Sequence, residues 1–198
     1  MLRIHFTGDS ITDAGRDRTD PTSLGDGYVS LLAQAPELAE ARISNSGIAG
    51  NRAIDLVDRW ERDVLSCQPD VLSIYVGIND VWRRFDSDDP TTDEAFEQRL
   101  RHLLERVPAG VRVLLVEPFL LPVRAEQEEW LSELAGKQRV AADLAGRHGA
   151  LWVPLQQRLS EAAEGHPASW APDGVHPFPR ASRLIADLWL DAYRRLPV

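Results

Sequence analysis

A serine near the amino terminus and a histidine near the carboxyl terminus are the residues of this chain best suited to do chemistry together. Ser10 follows a short apolar run, Leu2–Phe6, that alternates as a buried strand does, and Gly8 is expected to break that strand. A hydroxyl held there by rigid backbone, yet open to solvent, has what a nucleophile needs. A serine in this place also commonly caps a helix, so Ser10 alone does not decide between the two roles.

Among the five histidines, His176 has the most suggestive neighbours, because Asp173 precedes it by three residues. One tight turn would let the carboxylate accept a hydrogen bond from Nδ1–H and leave Nε2 to take a proton from Ser10. An Asp-Gly turn beside a surface histidine is also frequent, so a purely structural interpretation stays open. His166, in a Gly-His-Pro loop, is the second candidate.

Attack of a serine on an ester produces an oxyanion, which needs hydrogen-bond donors already aimed at it. The candidates are the backbone N–H of Ser10, the backbone N–H of Gly50 and the side-chain amide of Asn79. A glycine at position 50 lets the backbone approach a substrate closely. Ordinary loop geometry explains Gly47 and Gly50 equally well, and Asn79 can simply form a turn.

Strand-like and helical apolar patterns alternate along the chain and would position these residues. Strands are predicted for Leu2–Phe6, Ala41–Asn45, Asp70–Val76, Val111–Glu117 and Ala150–Pro154. Helices are predicted for Gly27–Ala35, Ala53–Ser66, Asp93–Val107, Glu126–His148 and Pro179–Leu196. Five strands separated by helices predict an α/β fold with a parallel sheet and helices on both faces.

The chemically unusual residues follow the predicted strands, and in such a sheet ligands bind beyond the carboxyl ends of the strands. The loops in question are 8–10 after the first strand, 45–51 after the second, 77–80 after the third and 172–177 after the fifth. With a strand order of 2-1-3-4-5, the first three loops would be neighbours. We therefore predict that they converge at one edge of the sheet.

The length of 198 residues suits one α/β domain, and we predict a single domain over residues 1–198. The formal net charge of −9, from 22 basic and 31 acidic residues, argues against binding to nucleic acid or to an anionic membrane. The single cysteine, Cys67, allows no internal disulfide and is expected to fill a small space in the core.

The first predicted strand begins at Leu2, which leaves no room for a signal peptide, and no apolar run reaches transmembrane length. These features predict a soluble cytoplasmic protein. A chain of this size can bury enough surface to fold without a metal or a disulfide, and we expect no cofactor and no metal.

Four short blocks, taken in order, resemble those of the SGNH hydrolases, also called GDSL esterases or lipases. The blocks are Gly8-Asp9-Ser10, Gly50, Gly77-x-Asn79-Asp80 and Asp173-x-x-His176. This resemblance implies a three-layer α/β/α flavodoxin-like fold with a five-stranded parallel sheet. It also selects Gly50 over Gly47 as an oxyanion donor, beside Ser10 and Asn79.

The same resemblance assigns Ser10, Asp173 and His176 to a catalytic triad. Asp9 and Asp80 are expected to support the loops through hydrogen bonds to local N–H groups rather than to react.

A closer resemblance is to the sugar esterases typified by acetylxylan esterases. It rests on residues 8–13, 24–29, 47–51, 55–60 and 77–83. It implies removal of acetyl groups from xylo-oligosaccharides or related sugars. Trp82 and Trp170 would then offer apolar faces to a sugar ring or wall off a small acyl pocket, although packing within the protein explains them equally well. Pro172 stands where these relatives carry Trp, so the acyl pocket is expected to differ in shape.

Two other functions stay open. A lipolytic SGNH relative acting on lysophospholipids or acyl thioesters would need an acyl path, which the apolar segment 119–123 could line. The same segment could instead pack against a second subunit of a homo-oligomer. A non-catalytic flavodoxin-like module would use Asp9, Asp13 and Asp80 to line a metal-binding pocket. The hypothesis of a metal-binding module leaves Asp173 and His176 unexplained, so the esterase is the favoured prediction.

Overall fold

The computed structural model describes residues 1–196, which contain a five-stranded parallel sheet flanked by helices. The strands are β1 (Arg3–Gly8), β2 (Arg42–Asn45), β3 (Val71–Tyr75), β4 (Arg112–Val116) and β5 (Leu151–Val153). Their order is β2-β1-β3-β4-β5, and every neighbouring pair is parallel. The predicted α/β fold and strand order are confirmed. The last two residues of the predicted domain 1–198 lie outside the described residues.

The sheet is buried on both faces, which explains why its central strand reads as a nearly continuous apolar run. Alternate side chains of β3 point to opposite faces: Val71 and Tyr75 belong to one apolar cluster, and Leu72 and Ile74 to the other. The first cluster includes Phe6, Tyr28 and Trp189, and the second includes Trp60, Phe96 and Leu144. A helical layer therefore covers each face.

The helices include the five that were predicted, one of which is divided as described below, and three that were not among the predicted helices, Ser10–Asp13, Ile78–Ser87 and Gln156–Ala162. They are α1 (Ser10–Asp13), α2 (Tyr28–Leu32), α3 (Ala53–Arg59), α4 (Ile78–Ser87), α5 (Asp93–Glu105), α6 (Gln127–His148), α7 (Gln156–Ala162) and α8 (Pro179–Tyr193). Apart from those differences, the ends of the predicted strands and helices differ from the observed ones by no more than three residues. Gly8, expected to break β1, is its last residue and pairs in register with Tyr75.

The predicted helix Ala53–Ser66 is wrong as one continuous helix. It is divided into α3, a π-helical turn (Trp60–Val64) and a 3₁₀ turn (Leu65–Cys67). The spacing of apolar residues differs little between these turns, so the pattern could not reveal the change. Cys67, expected in the core, is exposed.

Helix α4 and the segment after β4 also differ from expectation. Residues 77–80 were expected to form a loop, but α4 begins directly after Gly77, whose φ of 137° turns the chain out of β3. The many charged residues in 83–89 hid the helical pattern. Phe119, Leu120 and Leu121, which the sequence suggested could line an acyl path or pack against a second subunit, are buried in the core. Within residues 1–196, no helix is long and apolar enough to span a bilayer.

Candidate active site

Ser10 lies at the carboxyl end of β1, as the first residue of α1. Asp9, rather than Ser10, caps this helix: its Oδ1 accepts a hydrogen bond of 3.0 Å from the N–H of Ile11. The turn requires glycine at position 8, because a Cβ there would lie 2.1 Å from the carbonyl oxygen of Tyr75 and 2.7 Å from Oγ1 of Thr12. The backbone that presents Ser10 is therefore closely confined.

The structure brings Ser10 and His176 together across 166 residues of sequence. Nε2 of His176 lies 2.9 Å from Oγ of Ser10, and its Nδ1 lies 2.5 Å from Oδ2 of Asp173. The other carboxylate oxygen, Oδ1, accepts hydrogen bonds from the backbone N–H groups of Val175 and His176, at 2.9 and 2.8 Å. This geometry can pass a proton from a hydroxyl to an imidazole while a carboxylate fixes the ring.

The electrostatics of Asp173 suit it to orient an imidazole. Partial burial would raise the pKa of this carboxyl, but the hydrogen bonds from the His176 side chain and from the backbone N–H groups of His176 and Val175 outweigh it. The net effect is a pKa below the ordinary value. Asp173 is therefore ionised at neutral pH, as the acceptor of Nδ1–H must be.

A buried glutamine fixes the loop that carries Asp173 and His176. Nε2 of Gln127 donates to the carbonyl oxygen of Asp173 at 2.7 Å, and its Oε1 accepts from the N–H of Val123 at 2.9 Å. The N–H of Leu121 also donates to the carbonyl oxygen of Gly174, at 2.9 Å. Sequence reasoning missed Gln127. The available signal was its place at the start of a helix, where a side chain can turn back over the preceding loop.

The loop after β2 contains Gly47 and Gly50, the two glycines that sequence spacing alone could not distinguish, and it places them in different surroundings. Gly47 packs against α1, and a Cβ there would lie 2.3 Å from the backbone nitrogen of Asp13. Gly50 is open, with no atom of residues 1–196 within 4 Å of a Cβ, and has a φ of 83°. It is the third residue of a turn closed by a 3.1 Å hydrogen bond from the N–H of Asn51 to the carbonyl oxygen of Ile48. This arrangement is that of a type II turn.

Asn79 lies in the first turn of α4, and its side chain is nearly buried. Nδ2 donates to the carbonyl oxygen of Asn51 at 3.1 Å. An amide nitrogen carries two N–H groups, so the second is available to a substrate. This hydrogen bond also links the helix that carries Asn79 to the loop that carries Gly50.

The acidic residues near Ser10 hold backbone segments in place. Oδ2 of Asp80 accepts from the N–H of Ala53 at 3.0 Å, and Oδ2 of Asp13 accepts from the N–H of Ala49 at 2.8 Å and pairs with Arg18. Burial raises the pKa of Asp80 to about 6 and that of Asp9 to about 7. The carboxyl groups of Asp9, Asp13 and Asp80 thus make local contacts, and those of Asp9 and Asp80 are also desolvated. This arrangement does not favour binding of a shared hard cation.

The two tryptophans proposed for substrate contact lie in different surroundings. Trp82, on α4, is half-buried, and its ring centroid is 6.1 Å from that of His176. Trp170 is also half-buried, with the guanidinium carbon of Arg180 5.8 Å from its ring. The carbonyl oxygen of Trp170 accepts a 2.7 Å hydrogen bond from the N–H of Phe178. Trp82 therefore borders His176, whereas Trp170 is tied through its backbone to the segment that follows His176.

Ser10 and His176 line two adjoining clefts of different size. One has a volume of about 230 Å³, and its lining includes Ile11, Ala14, Asp26, Pro177 and Ser182. The other is wider, at about 660 Å³, and its lining includes Asp13, Arg16, Asp17 and Arg18. Ser10 thus borders a small cleft and a wider one to which several charged side chains contribute.

Known proteins resemble this chain over nearly its whole length. An acetylxylan esterase of Geobacillus stearothermophilus is 36% identical over 95% of this chain and 92% of its own length. The solved structure of Axe2, an acetylxylan esterase of the same organism, has a TM-score of 0.86 at 35% identity and covers 96% of this chain and 93% of its own. LAE5, an α/β hydrolase from the metagenome of Lake Arreo, Spain, has a TM-score of 0.89 at 32% identity, with 100% and 97% covered.

The fold and these similarities define a carboxylic ester hydrolase. More specifically, the chain belongs to the GDSL-like lipase/acylhydrolase family, whose model matches residues 6–184. The resemblance drawn from the four sequence blocks is thereby confirmed. Two solved variants of Axe2, in which a serine or an aspartate is replaced by alanine, are described as catalytic mutants of that enzyme.

Proposed function

We propose that this protein is a serine esterase that removes acetyl groups from carbohydrates such as xylo-oligosaccharides. The observation that carries the proposal is the chain of hydrogen bonds from Ser10 through His176 to Asp173, with distances of 2.9 and 2.5 Å. A hydroxyl is a weak nucleophile at neutral pH unless a base accepts its proton. The imidazole is within reach of that proton, and the carboxylate holds the ring.

In the first half of the reaction, Oγ of Ser10 bonds to the ester carbonyl carbon while its proton passes to Nε2 of His176. The carbonyl oxygen becomes an oxyanion, which the N–H groups of Ser10, Gly50 and Asn79 would stabilise. When the intermediate collapses, the bond to the alcohol oxygen breaks. His176 returns its proton to that oxygen, the alcohol leaves, and the acyl group remains on Ser10.

In the second half, a water molecule attacks the acyl carbon and gives its proton to His176. The bond from Oγ to the acyl carbon then breaks, and His176 returns the proton to Ser10. The products are the free acid and the restored hydroxyl. The same imidazole acts as base and then as acid in each half, so one triad serves both steps.

The substrate class is supported by the acetylxylan esterases that this chain resembles and by the clefts beside Ser10. The cleft of about 230 Å³, which Ile11 and Ala14 help to line, suits the acyl methyl group in size, and the charged side chains at the wider cleft could bind the hydroxyl groups of a sugar. Trp82 would add an apolar ring beside the leaving sugar. Ser10 would thus lie between the cleft proposed for the acetyl group and the cleft proposed for the sugar.

The proposal is tested by hydrolysis of p-nitrophenyl acetate by the wild type, Ser10→Ala and Ser66→Ala. Ser66 is an exposed serine on the 3₁₀ turn Leu65–Cys67 and serves as the matched control. We expect Ser10→Ala to lose turnover by at least about 10³-fold while its melting temperature changes little, because Ser10 is only half-buried. Full activity of Ser10→Ala would overturn the proposal.

Acyl and alcohol preference are measured separately. We expect acetyl esters to be hydrolysed faster than octanoyl esters, and acetylated xylo-oligosaccharides to release acetate with the wild type but not with Ser10→Ala. Preference for the octanoyl ester, without acetate release from sugars, would replace the acetyl esterase by a lipolytic or thioester hydrolase with the same triad.

A further inference from the structure

We propose that Arg59 is a positioning residue that aligns the oxyanion hole from behind. This proposal rests on the proposed function, since it assigns the alignment of donors that the esterase reaction would use. Arg59 is the last residue of α3 and lies where the helix widens into the π-helical turn.

The burial of Arg59 is unusual for a charged side chain. Its side chain is only 4% exposed, and its nearest carboxylate, Oδ2 of Asp63, lies 3.6 Å from Nη1. A charge is costly to bury unless it is paired and hydrogen-bonded. Burial lowers the pKa of Arg59 to about 10, so the guanidinium remains charged at neutral pH. Because the Arg59 side chain stays charged in the interior, we expect its specific contacts to have a function.

Two hydrogen bonds connect this guanidinium to the segments that carry the proposed donors. Nε donates to Oδ1 of Asn51 at 2.7 Å, and Nη2 donates to the carbonyl oxygen of Gly8 at 3.1 Å. Gly8 is the residue at which β1 ends, two positions before Ser10. The guanidinium therefore joins the end of β1 to the loop after β2.

Asn51 lies at the centre of the arrangement. Its N–H closes the turn that holds Gly50, and its carbonyl oxygen accepts the hydrogen bond from Nδ2 of Asn79. A displacement of Asn51 would thus move two of the three proposed donors, and the contact to Gly8 reaches the segment that carries the third. A misplacement of about 1 Å at a catalytic group can cost about 10²-fold in rate.

The planar guanidinium is essential to this role. Arginine presents several donors in a fixed fork, whereas lysine offers one compact charge on a flexible stem. In Arg59→Lys the positive charge beside Asp63 is kept, but one ammonium group cannot reproduce both directed contacts. A purely structural role through charge would survive this change, whereas alignment of the donors would not.

The first experiment compares Arg59→Lys with Arg62→Lys on p-nitrophenyl acetate. Arg62 also pairs with Asp63, with a 2.7 Å contact, but its side chain is 74% exposed. We expect Arg59→Lys to lower kcat about 10- to 100-fold with KM within about threefold, and Arg62→Lys to match the wild type. An unchanged kcat in Arg59→Lys would overturn the proposal, as would a loss confined to KM.

A second pair of variants leaves Arg59 in place and alters its acceptor. Asn51→Asp keeps an oxygen that can accept from Nε and is expected to lose less kcat than Asn51→Ala, which is expected to lose as much as Arg59→Lys. If Arg59→Lys does not fold, the two Asn51 variants test the proposed role of Arg59 instead. Equal activity of the two Asn51 variants would contradict the proposal.

A double-mutant cycle with Asn79→Ala tests whether Arg59 acts through the oxyanion hole. If it does, Arg59→Lys costs less in the Asn79→Ala background than in the wild type, because one of the donors that Arg59 aligns is already absent. Multiplicative losses would overturn the proposal while leaving the esterase intact. Failure of the proposed function is distinguishable, because Ser10→Ala would then remain active.

Discussion

Replacing Gly50 by alanine would alter one proposed oxyanion donor, the N–H of residue 50, without causing a steric clash with residues 1–196. In the described part of the chain, nothing lies within 4 Å of a Cβ built on Gly50, so the variant introduces no steric clash there. The φ of 83° is the difficulty, since an L-residue in the left-handed region costs about 1–2 kcal/mol. The expected loss in the free energy of unfolding is thus about 1 kcal/mol, or a fall of about 2–4 °C in melting temperature.

The turn can relieve this strain in a way that affects activity. Rotation of the peptide between Ala49 and Gly50 would convert a type II turn into a type I turn and remove the positive φ. The same rotation redirects the N–H of residue 50, which is the proposed donor. Because loss of one oxyanion donor costs about 10²–10³ in rate, we expect kcat of Gly50→Ala to fall by about 10².

Gly110 supplies a matched control. It is the third residue of a turn closed by a 3.2 Å hydrogen bond from the N–H of Val111 to the carbonyl oxygen of Pro108. Its φ is 90°, and none of the residues that the structure describes lies within 4 Å of a Cβ. This turn precedes β4, at the edge of the sheet opposite Ser10. Gly110→Ala should therefore lose the same stability as Gly50→Ala but no activity.

The assay is steady-state hydrolysis of p-nitrophenyl acetate by both alanine variants, with thermal unfolding followed in parallel. Similar melting temperatures with kcat reduced only in Gly50→Ala would support the assignment of the Gly50 N–H. Equal kcat values for the two variants would refute the reasoning.

Three further predictions address the triad, the buried carboxyl and the aromatic ring. Asp173→Asn should lower kcat about 10⁴-fold by favouring the wrong tautomer of His176, measured with p-nitrophenyl acetate; a loss below tenfold would contradict this. The pKa of Asp9, raised by burial from 3.8 to about 7, means that the folded state holds a proton which the unfolded state releases, so wild-type stability is lost as pH rises through this window. Urea unfolding should show Asp9→Asn gaining roughly 4 kcal/mol on the wild type between pH 4 and 7, and a constant difference would argue otherwise. Trp82→Ala should raise KM about fivefold for an acetylated xylo-oligosaccharide, from loss of about 1 kcal/mol of ring contact, but leave KM for p-nitrophenyl acetate nearly unchanged; equal shifts would exclude a sugar contact.

The fold could be predicted because its information is local and repetitive. Apolar alternation marks the strands, helical spacing marks most helices, and the handedness of crossover connections limits the order of a parallel sheet. The convergence of the loops followed from the same topology. Ser10 and His176 do lie within 2.9 Å of each other, although their catalytic roles stay a prediction until they are measured.

What the sequence could not reveal depends on contacts between distant segments. The burial of Phe119–Leu121 arises from tertiary packing, including the hydrogen bond between the N–H of Leu121 and the carbonyl oxygen of Gly174. The roles of Gln127 and Arg59 depend on backbone groups 46 and 51 residues away, which carry no signature in a short window. Helix α4 could not be predicted for a different reason. Its charged side chains interrupt the apolar period that its first turn begins.

The most direct measurement is the site of labelling by a fluorophosphonate, which forms a bond to an activated serine oxygen as fluoride leaves. We expect one adduct per chain on the peptide that contains Ser10, no adduct in Ser10→Ala, and labelling slowed at least about 10³-fold in His176→Ala. An adduct at another residue of the wild type, with Ser10 unmodified, would contradict the assignment of the nucleophile.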